Sequence, residues 1–385
     1  MKAIAGSEKP HQAIARQVSK VRDTWLPSLH RLCLRCSHKL EMRKKKRRKE
    51  VIMEKIIVAL DAMGGDYAPE QTVQGAVNAV NSAEEIKVIL VGKQDLIQAE
   101  LAKYEYNSDS IEVVHAEEII DMGDVPTAAI KNKKDSSLVV AMRLVRDGKA
   151  DAVVSAGSTG AILVGGQLVV GRLKGIKRPP LAPFVPTTKG FSLLIDCGAN
   201  VDARPEHLVQ FAQMGSIYYE NVMRKKNPTV GLLNIGTEEE KGNQLVKDTK
   251  PLLKECKGIN YIGSIESREI VRGAADVIVC EAFVGNIVLK FFEGLALTMF
   301  DSLKQGLLSS LRTKIGTVLV KPALKGLKKQ FDTSSQGGAP LLGLKGLVVK
   351  AHGNSTCKEI EIAIKQCVSF KKQGINEKIK ESICD

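Results

Sequence analysis

Several common sequence signatures are missing from this 385-residue chain, and each absence narrows the possible functions. No run of about 18 apolar residues occurs, so we expect no helix that crosses a membrane. No apolar stretch follows the first positive charges, so we expect no secretory signal and a cytoplasmic location. Neither a GxGxxG motif nor a P-loop follows a candidate strand, which disfavours dinucleotide enzymes and nucleoside triphosphatases. A GxSxG elbow is also missing, which disfavours an acyl-serine mechanism.

The cysteines do not form a disulfide framework. There are eight, and most are isolated in apolar runs, so buried reduced thiols are the favoured interpretation. The one group with short spacing is Cys33 and Cys36, which His30 and His38 flank. Four such side chains could bind zinc, but no second cysteine pair follows. We therefore predict no metal and no cofactor.

The positive charge of the chain is concentrated at one end. The composition, with 44% hydrophobic and 26% charged residues, is globular, and the net charge of +14 first suggests a nucleic-acid partner. Residues 1–52, however, carry 15 basic and four acidic side chains, a net +11, so the other 333 residues carry only +3. We predict a basic, disordered extension over residues 1–52 and a folded domain over residues 53–385. The extension is either upstream sequence translated from too early a start, which we favour, or a basic arm for anionic lipid.

From Glu54 onwards, short β-branched runs alternate with helical stretches. The predicted strands are Ile56–Asp61, Lys87–Val91, Ile111–His115, Ala152–Ser155, Ser192–Asp196, Thr229–Asn234, Asn260–Gly263, Val277–Cys280 and Gly346–Lys350. The predicted helices are Glu70–Asn81, Ala129–Arg146, Gly160–Arg172, Pro205–Arg224, Glu240–Cys256 and Ser355–Lys372. This alternation predicts an α/β protein with a mostly parallel, Rossmann-like sheet between two helical layers, a three-layer α/β/α fold.

Residues 288–331 interrupt this alternation with a long helical pattern. Gly316 marks a possible turn and Pro322 lies inside the segment, so we predict an inserted amphipathic helical hairpin. Its apolar positions alternate with basic ones such as Lys304, Arg312 and Lys314. Basic amphipathic helices bind anionic membrane surfaces, and the alternative is a dimerisation hairpin with solvated charges.

Glycine, asparagine, serine and aspartate cluster where predicted strands end, which is where parallel sheets bind ligands. The candidate binding residues are Asp61, Gly64, Gly65, Asp66, Ser158, Thr159, Gly160, Asp196, Asn200, Asn234, Gly236 and Asn354. The Ser158–Gly160 segment opens a helix, where backbone N–H groups favour anions. Lys241, Asn286 and His352 stand beside these loops. Asparagine amides and a lysine suit a site that holds phosphate and polarises a carbonyl.

Taken together, these loops resemble the phosphate acyltransferase family of bacterial phospholipid synthesis, the PlsX family. The matching blocks, between about Met53 and Lys372, are ALDAMGGDYAPE (Ala59–Glu70), KKDSS (Lys133–Ser137), SAGSTGA (Ser155–Ala161), GRLKGIKRPPLAP (Gly171–Pro183), DCGANVDARPEHLVQFAQMGS (Asp196–Ser216), GLLNIGTEEEKGN (Gly231–Asn243), FVGNIVLK (Phe283–Lys290), GGAPLLGLKG (Gly337–Gly346) and KAHGNS (Lys350–Ser355). Nine blocks in the same order make a specific match.

The resemblance implies transfer of a fatty acyl group from acylated acyl carrier protein to inorganic phosphate. The acyl phosphate product would then feed a glycerol-3-phosphate acyltransferase. The resemblance also implies a homodimer whose hairpin contacts the membrane, so the protein would be peripherally membrane-associated. We predict that Lys241 and Asn286 bind phosphate or stabilise the oxyanion, and that His352 protonates the leaving thiolate.

Two other functions stay open. A phosphotransacetylase-like enzyme would handle phosphate and a thioester in the same way but would use coenzyme A thioesters. A nucleic-acid-binding protein acting through residues 1–52 would show salt-sensitive binding, but no nucleic-acid-binding module is recognisable in the rest of the chain, so we expect no nucleic-acid partner.

Overall fold

The strands in the described part of the chain form two sheets. The computed structural model describes residues 55–331 and 337–384, without side chains at 328, 329 and 384. The strands are β1 (Ile56–Asp61), β2 (Ile86–Gly92), β3 (Ile111–His115), β4 (Ala152–Ser155), β5 (Phe184–Thr187), β6 (Gly190–Ile195), β7 (Thr229–Asn234), β8 (Asn260–Glu266), β9 (Val277–Val279), β10 (Ala339–Leu341) and β11 (Leu347–Lys350). The predicted extension, residues 1–52, and the Cys33–Cys36 pair lie outside the described residues.

Both sheets are mostly parallel. The first has the order β10-β11-β4-β1-β2-β3 and the second β5-β6-β9-β7-β8, and among these described strands only β10–β11 and β5–β6 pair antiparallel. The prediction of one sheet is wrong, because the described strands form two. After β4 the chain builds the whole second sheet and then returns with β11 to pair with β4. The short strands β5 and β10 were missed, because each contains a proline (Pro186, Pro340) that weakens a strand pattern.

Helices connect the strands. They are α1 (Glu70–Ser82), α2 (Gln94–Leu101), α3 (Pro126–Asn132), α4 (Ser137–Arg146), α5 (Thr159–Gly165, continued by a π-turn over Gly166–Val170), α6 (Pro205–Met223), α7 (Gln244–Glu255), α8 (Ser267–Ile270), α9 (Ala282–Leu308), α10 (Leu311–Gln330), α11 (Cys357–Lys372) and α12 (Ile375–Cys384). The predicted helix Ala129–Arg146 is two helices, because the Ser137 N–H donates to the carbonyl of Glu118 instead of continuing α3.

The buried side chains divide into layers, as the predicted three-layer fold requires. Successive residues of a strand point to opposite faces of a sheet. In β1, Val58 and Leu60 join a core that includes residues of α1, α6 and α11, whereas Ala59 joins a second core with residues of α4 and α5. A third, smaller core lies on the second sheet and includes Leu194 and Ile278. The predicted fold class is thus confirmed.

The segment predicted as a hairpin consists of α9 and α10. The turn lies at Ser309 and Ser310 and not at Gly316, and Pro322 lies inside α10. An 18-residue window of α9 has a mean hydropathy of 1.5 and is 6% buried, so α9 is long and apolar enough to cross a membrane by length and composition alone. The expectation that no stretch is long and apolar enough to cross is therefore corrected in composition only, since Lys290 and Glu293 interrupt the apolar run without making it polar on average.

Candidate active site

The loop after β1 is organised by a buried carboxyl group. Asp61 is 2% exposed and accepts a hydrogen bond of 2.7 Å from the Ser155 hydroxyl at the end of β4. Burial raises the pKa of Asp61 above its usual value, although hydrogen bonds from Ser137 and Ser155 act in the opposite direction. A Cβ at Gly64 would lie 2.5 Å from the Asp61 carboxylate, so only glycine allows the loop to close over this group.

The same loop contacts the loop that follows β11. The Asp66 N–H donates to the carbonyl of Gly353 at 2.7 Å, and Gly65 has a φ of +105°, which favours glycine. The Asp66 side chain is exposed, as is Asn354. Loops from β1 and β11 therefore meet at one edge of the first sheet, as the sequence analysis expected for strand ends.

A second buried carboxyl group follows β6. Asp196 Oδ1 accepts from the backbone N–H groups of Leu181 and Ala199, and Oδ2 accepts from the N–H and the side-chain amide of Asn200. Burial outweighs these bonds and raises the pKa of Asp196 to about 6. The Asn200 amide also donates to the carbonyl of Pro179 at 3.0 Å. Asp196 and Asn200 thus hold the loop after β6 in place. The wall of the cavity described below depends on this loop.

The loop after β7 holds the predicted residues Asn234, Gly236 and Lys241. The Asn234 amide donates to the carbonyls of Gly236 and Lys241 at 2.8 and 3.1 Å, so in this structure it closes the loop. The Lys241 side chain is exposed. Its backbone carbonyl also accepts from the buried Lys250 ammonium at 3.1 Å. None of these three predicted residues lines the cavity described next.

A cavity of about 130 Å³ lies beside the first turns of α5, α9 and α11. One part of its wall is apolar and includes Leu181, Pro183, Phe184, Val185, Leu289 and Phe292. The other part is polar and charged and includes Thr159, Asn286, Lys290, Glu293, Lys350 and His352. The cavity therefore places an apolar surface next to two lysines, an amide and an imidazole.

Two ionisable side chains of the cavity, Lys290 and His352, both lie near the carboxylate of Glu293. This carboxylate lies 2.8 Å from the Lys290 ammonium and 3.6 Å from His352 Nε2. Burial, followed by the charge of Lys350, lowers the pKa of His352, whose side chain is about half-exposed, so the imidazole is favoured as neutral. Burial, followed by the charge of Lys290, also lowers the pKa of Lys350.

The structure brings only some of the predicted residues to this cavity. Thr159, Asn286 and His352 line it, and Ser158 and Gly160 flank Thr159 in the chain. Gly160 packs against Pro126 of α3. The remaining candidates build neighbouring loops, as described above. Among the described residues, no group of three or more histidine, cysteine, aspartate or glutamate side chains is arranged to hold a metal ion.

Sequence reasoning missed Lys290, Glu293 and Lys350. Two signals could have found them. Asn286, Lys290 and Glu293 have i, i+4, i+7 spacing, which places them on one face of α9. Lys350 precedes His352 by two residues at the end of a strand.

Comparison with known proteins identifies the family of the chain. A family described as "Fatty acid synthesis protein" matches residues 56–378. The chain belongs to this family. A phosphate acyltransferase from Clostridium novyi is 49% identical over 326 residues, which are 85% of this chain and 98% of that protein. One from Alkaliphilus oremlandii is 51% identical over 326 residues, 85% of this chain and 97% of that protein. The chain is therefore an acyltransferase of the phosphate acyltransferase family of fatty acid and phospholipid synthesis.

Solved structures share the fold at much lower sequence identity. A phosphotransacetylase from Streptococcus pyogenes aligns with a TM-score of 0.58 and 16% identity, covering 84% of this chain and 97% of that one. The EutD phosphotransacetylase from Staphylococcus aureus aligns with a TM-score of 0.53 and 16% identity, covering 84% and 96%. These likenesses concern the fold alone.

Proposed function

We propose that the enzyme transfers a fatty acyl group from acylated acyl carrier protein to inorganic phosphate, giving acyl phosphate and free carrier. The observation that carries this proposal is the cavity, in which two lysines stand beside an apolar wall. The lysines suit a phosphate dianion, and the apolar wall suits the start of an acyl chain. The acyl phosphate would be consumed by a glycerol-3-phosphate acyltransferase.

The mechanism requires positioning more than activation. Phosphate is already nucleophilic, so Lys290 and Lys350 need only hold it beside the thioester carbonyl. A phosphate oxygen attacks that carbonyl carbon, and the Asn286 amide N–H stabilises the tetrahedral oxyanion. The C–S bond then breaks, and the neutral His352 takes the proton that the attacking HPO₄²⁻ loses and passes it to the leaving thiolate. In this scheme Lys290 and Lys350 have the part that the sequence analysis gave to Lys241, and Lys241 stays a candidate on the neighbouring loop.

The test is phosphate-dependent acyl phosphate formation by the full chain. We expect free acyl carrier protein to be released when the carrier thioester is the donor, and little turnover with the corresponding coenzyme A thioester. Asn286→Ala should lose about 100-fold in kcat while phosphate binding changes little, the usual cost of removing one oxyanion donor. A folded Asn286→Ala variant with full activity contradicts the assigned role, and turnover with coenzyme A alone favours a phosphotransacetylase instead.

We also propose that the α9–α10 hairpin joins two copies of the chain and lies on an anionic membrane surface, with the protein otherwise in the cytoplasm. The hairpin exposes Leu311, Ile315 and Leu319 by 68–79%, next to Arg312 and Lys314. Exposed apolar and basic side chains on one helix favour such a surface. Crossing is disfavoured because α9 lines the cavity as far as Glu293. Its remaining 15 residues span about 22 Å, less than the hydrocarbon core of about 30 Å.

Vesicle sedimentation tests the membrane part of this proposal. Wild-type protein should sediment with vesicles that contain phosphatidylglycerol, and Leu311→Glu should reduce the bound fraction about tenfold, since it replaces an apolar contact by a repelled charge. Tyr67→Glu, which changes an exposed residue outside the hairpin, is the matched control. Equal binding of all three proteins contradicts the proposal, and light scattering after chromatography separately reports whether the protein is a dimer.

A further inference from the structure

The two lysines of the cavity stand in different electrostatic surroundings. The Lys290 ammonium pairs with Glu293 at 2.8 Å and is 60% exposed. Lys350 is only partly exposed, and among residues 55–331 and 337–384 no carboxylate lies within 4.0 Å of its ammonium. Water and an ion pair with Glu293 therefore stabilise the charge of Lys290, whereas Glu293 acts on Lys350 only from beyond 4.0 Å and more weakly than burial and the charge of Lys290.

This difference decides which amine is a nucleophile. A lysine attacks a carbonyl only as the neutral amine. Burial and the charge of Lys290 lower the pKa of Lys350, so the neutral form of Lys350 is more populated than that of an ordinary lysine. The other charged groups around the site are Glu293 on α9, His352 after β11 and Glu359 on α11. Glu293 acts to raise the pKa of Lys350, but burial and the charge of Lys290 outweigh it.

We propose that Lys350 is a self-acylation site, at which acyl phosphate held in this cavity acylates the enzyme. This rests on the proposed function, because acyl phosphates are the product of that reaction. The Lys350 nitrogen forms an amide bond with the acyl carbon, the bond from that carbon to the phosphate oxygen breaks, and the amine proton leaves with phosphate as HPO₄²⁻. No oxidant or further reactant is needed. Product that is not removed would thus inactivate the enzyme that makes it.

Inorganic phosphate should protect Lys350. A bound dianion stabilises the ammonium form and so reduces the nucleophilic fraction of the amine. It also occupies the space that the phosphoryl group of an acyl phosphate needs. Surface lysines lack this cavity, so phosphate should leave their acylation unchanged. Protection by phosphate therefore distinguishes acylation directed by the cavity from random chemical acylation.

The experiment adds synthetic butyryl phosphate to the full-length protein and measures acylation of each lysine by peptide mass spectrometry. We expect Lys350 to be acylated about tenfold faster than Lys290, since only Lys290 is held as an ion pair. Inorganic phosphate should slow acylation at Lys350 and at Lys290, which share the cavity, and leave acylation of lysines outside the cavity unchanged. In Glu293→Gln, which removes the carboxylate 2.8 Å from Lys290, acylation of Lys290 should rise, and Lys350 should remain the faster of the two.

Two results would overturn the proposal: equal acylation of Lys350 and Lys290 in the wild type, or acylation of Lys350 that phosphate does not slow. Because butyryl phosphate is added ready-made, the labelling does not depend on turnover. Enzymatic acyl phosphate synthesis with Lys350 unlabelled would therefore defeat only this inference. Protected labelling of Lys350 in a protein that makes no acyl phosphate would support the reactive lysine and defeat the proposed function.

Discussion

The substitution Asp196→Asn tests whether burial or hydrogen bonding has the larger effect on the pKa of the carboxyl group behind the cavity wall. Asp196 accepts four hydrogen bonds, two at each oxygen. Asparagine keeps one oxygen and places an NH₂ group against two donors. The lost bonds and the unpaired buried donors cost about 2–4 kcal/mol of the free energy of unfolding when the wild-type carboxyl is neutral.

This cost should depend on pH in a particular direction. The pKa of Asp196 rises from 3.8 to about 6 on folding, so between these values the folded state binds more protons than the unfolded state. The stability that the wild type gains from this group is therefore present at low pH and lost as pH rises through 6. The shift of about two units corresponds to about 3 kcal/mol. Because the unfolded carboxyl is already partly ionised at pH 4, the cost of Asp196→Asn should fall by about 2 kcal/mol between pH 4 and pH 7.

Urea unfolding of both proteins at pH 4, 5, 6 and 7 measures this difference directly. Comparing the two proteins at each pH cancels the titration of other groups, including Asp61, whose pKa burial also raises. The slopes of the unfolding curves must agree between the proteins for the comparison to report stability alone. A cost that grows with rising pH would refute the reasoning, because the four hydrogen bonds would then outweigh burial.

Two further predictions concern α9 and the lysines. Gly285→Ala should destabilise the protein by about 1–3 kcal/mol in urea unfolding, because the added Cβ overlaps the Asp196 carbonyl oxygen. Gly294→Ala on the same helix is the control. It should be neutral or stabilising, because no atom lies within 4 Å of its new Cβ. Equal effects would contradict the close approach of α9. Lys290→Ala should raise KM for phosphate at least tenfold and more than Lys241→Ala does, since only Lys290 lines the cavity. A larger increase in KM for Lys241→Ala than for Lys290→Ala would instead indicate that phosphate binds at the loop of Lys241.

The parts of the fold that the sequence predicted are those with a local signal. The bounds of β1, β3, β4 and β7 agree with the prediction because each is a short apolar or β-branched run that ends at polar residues. The division into two sheets has no local signal. It depends on the pairing of β11 with β4, across almost 200 residues of chain, and neither strand indicates its partner.

The same limit applies to the site. Asn286 and His352 could be predicted because each stands beside a glycine in a polar block a few residues after a strand. Lys290 and Glu293 lie inside a helix, where a charged pair three residues apart is an ordinary surface feature. Only the position of α9 across the end of β11 makes them part of the cavity.

The position of α9 explains why one helix can serve both the chemistry and the hairpin. Its first turn is fixed to the loop of Asp196, because the Cα of Gly285 approaches the Asp196 carbonyl too closely for any larger residue. Asn286, Lys290 and Glu293 then face the cavity over the next two turns. Beyond them the large apolar residues Leu297 and Met299 are exposed by more than 60%. A contact that covers this exposed half would act on a helix that is continuous with the face lining the cavity. A dimer or a membrane surface at the hairpin would therefore change the order of Lys290 and Glu293 without touching either residue.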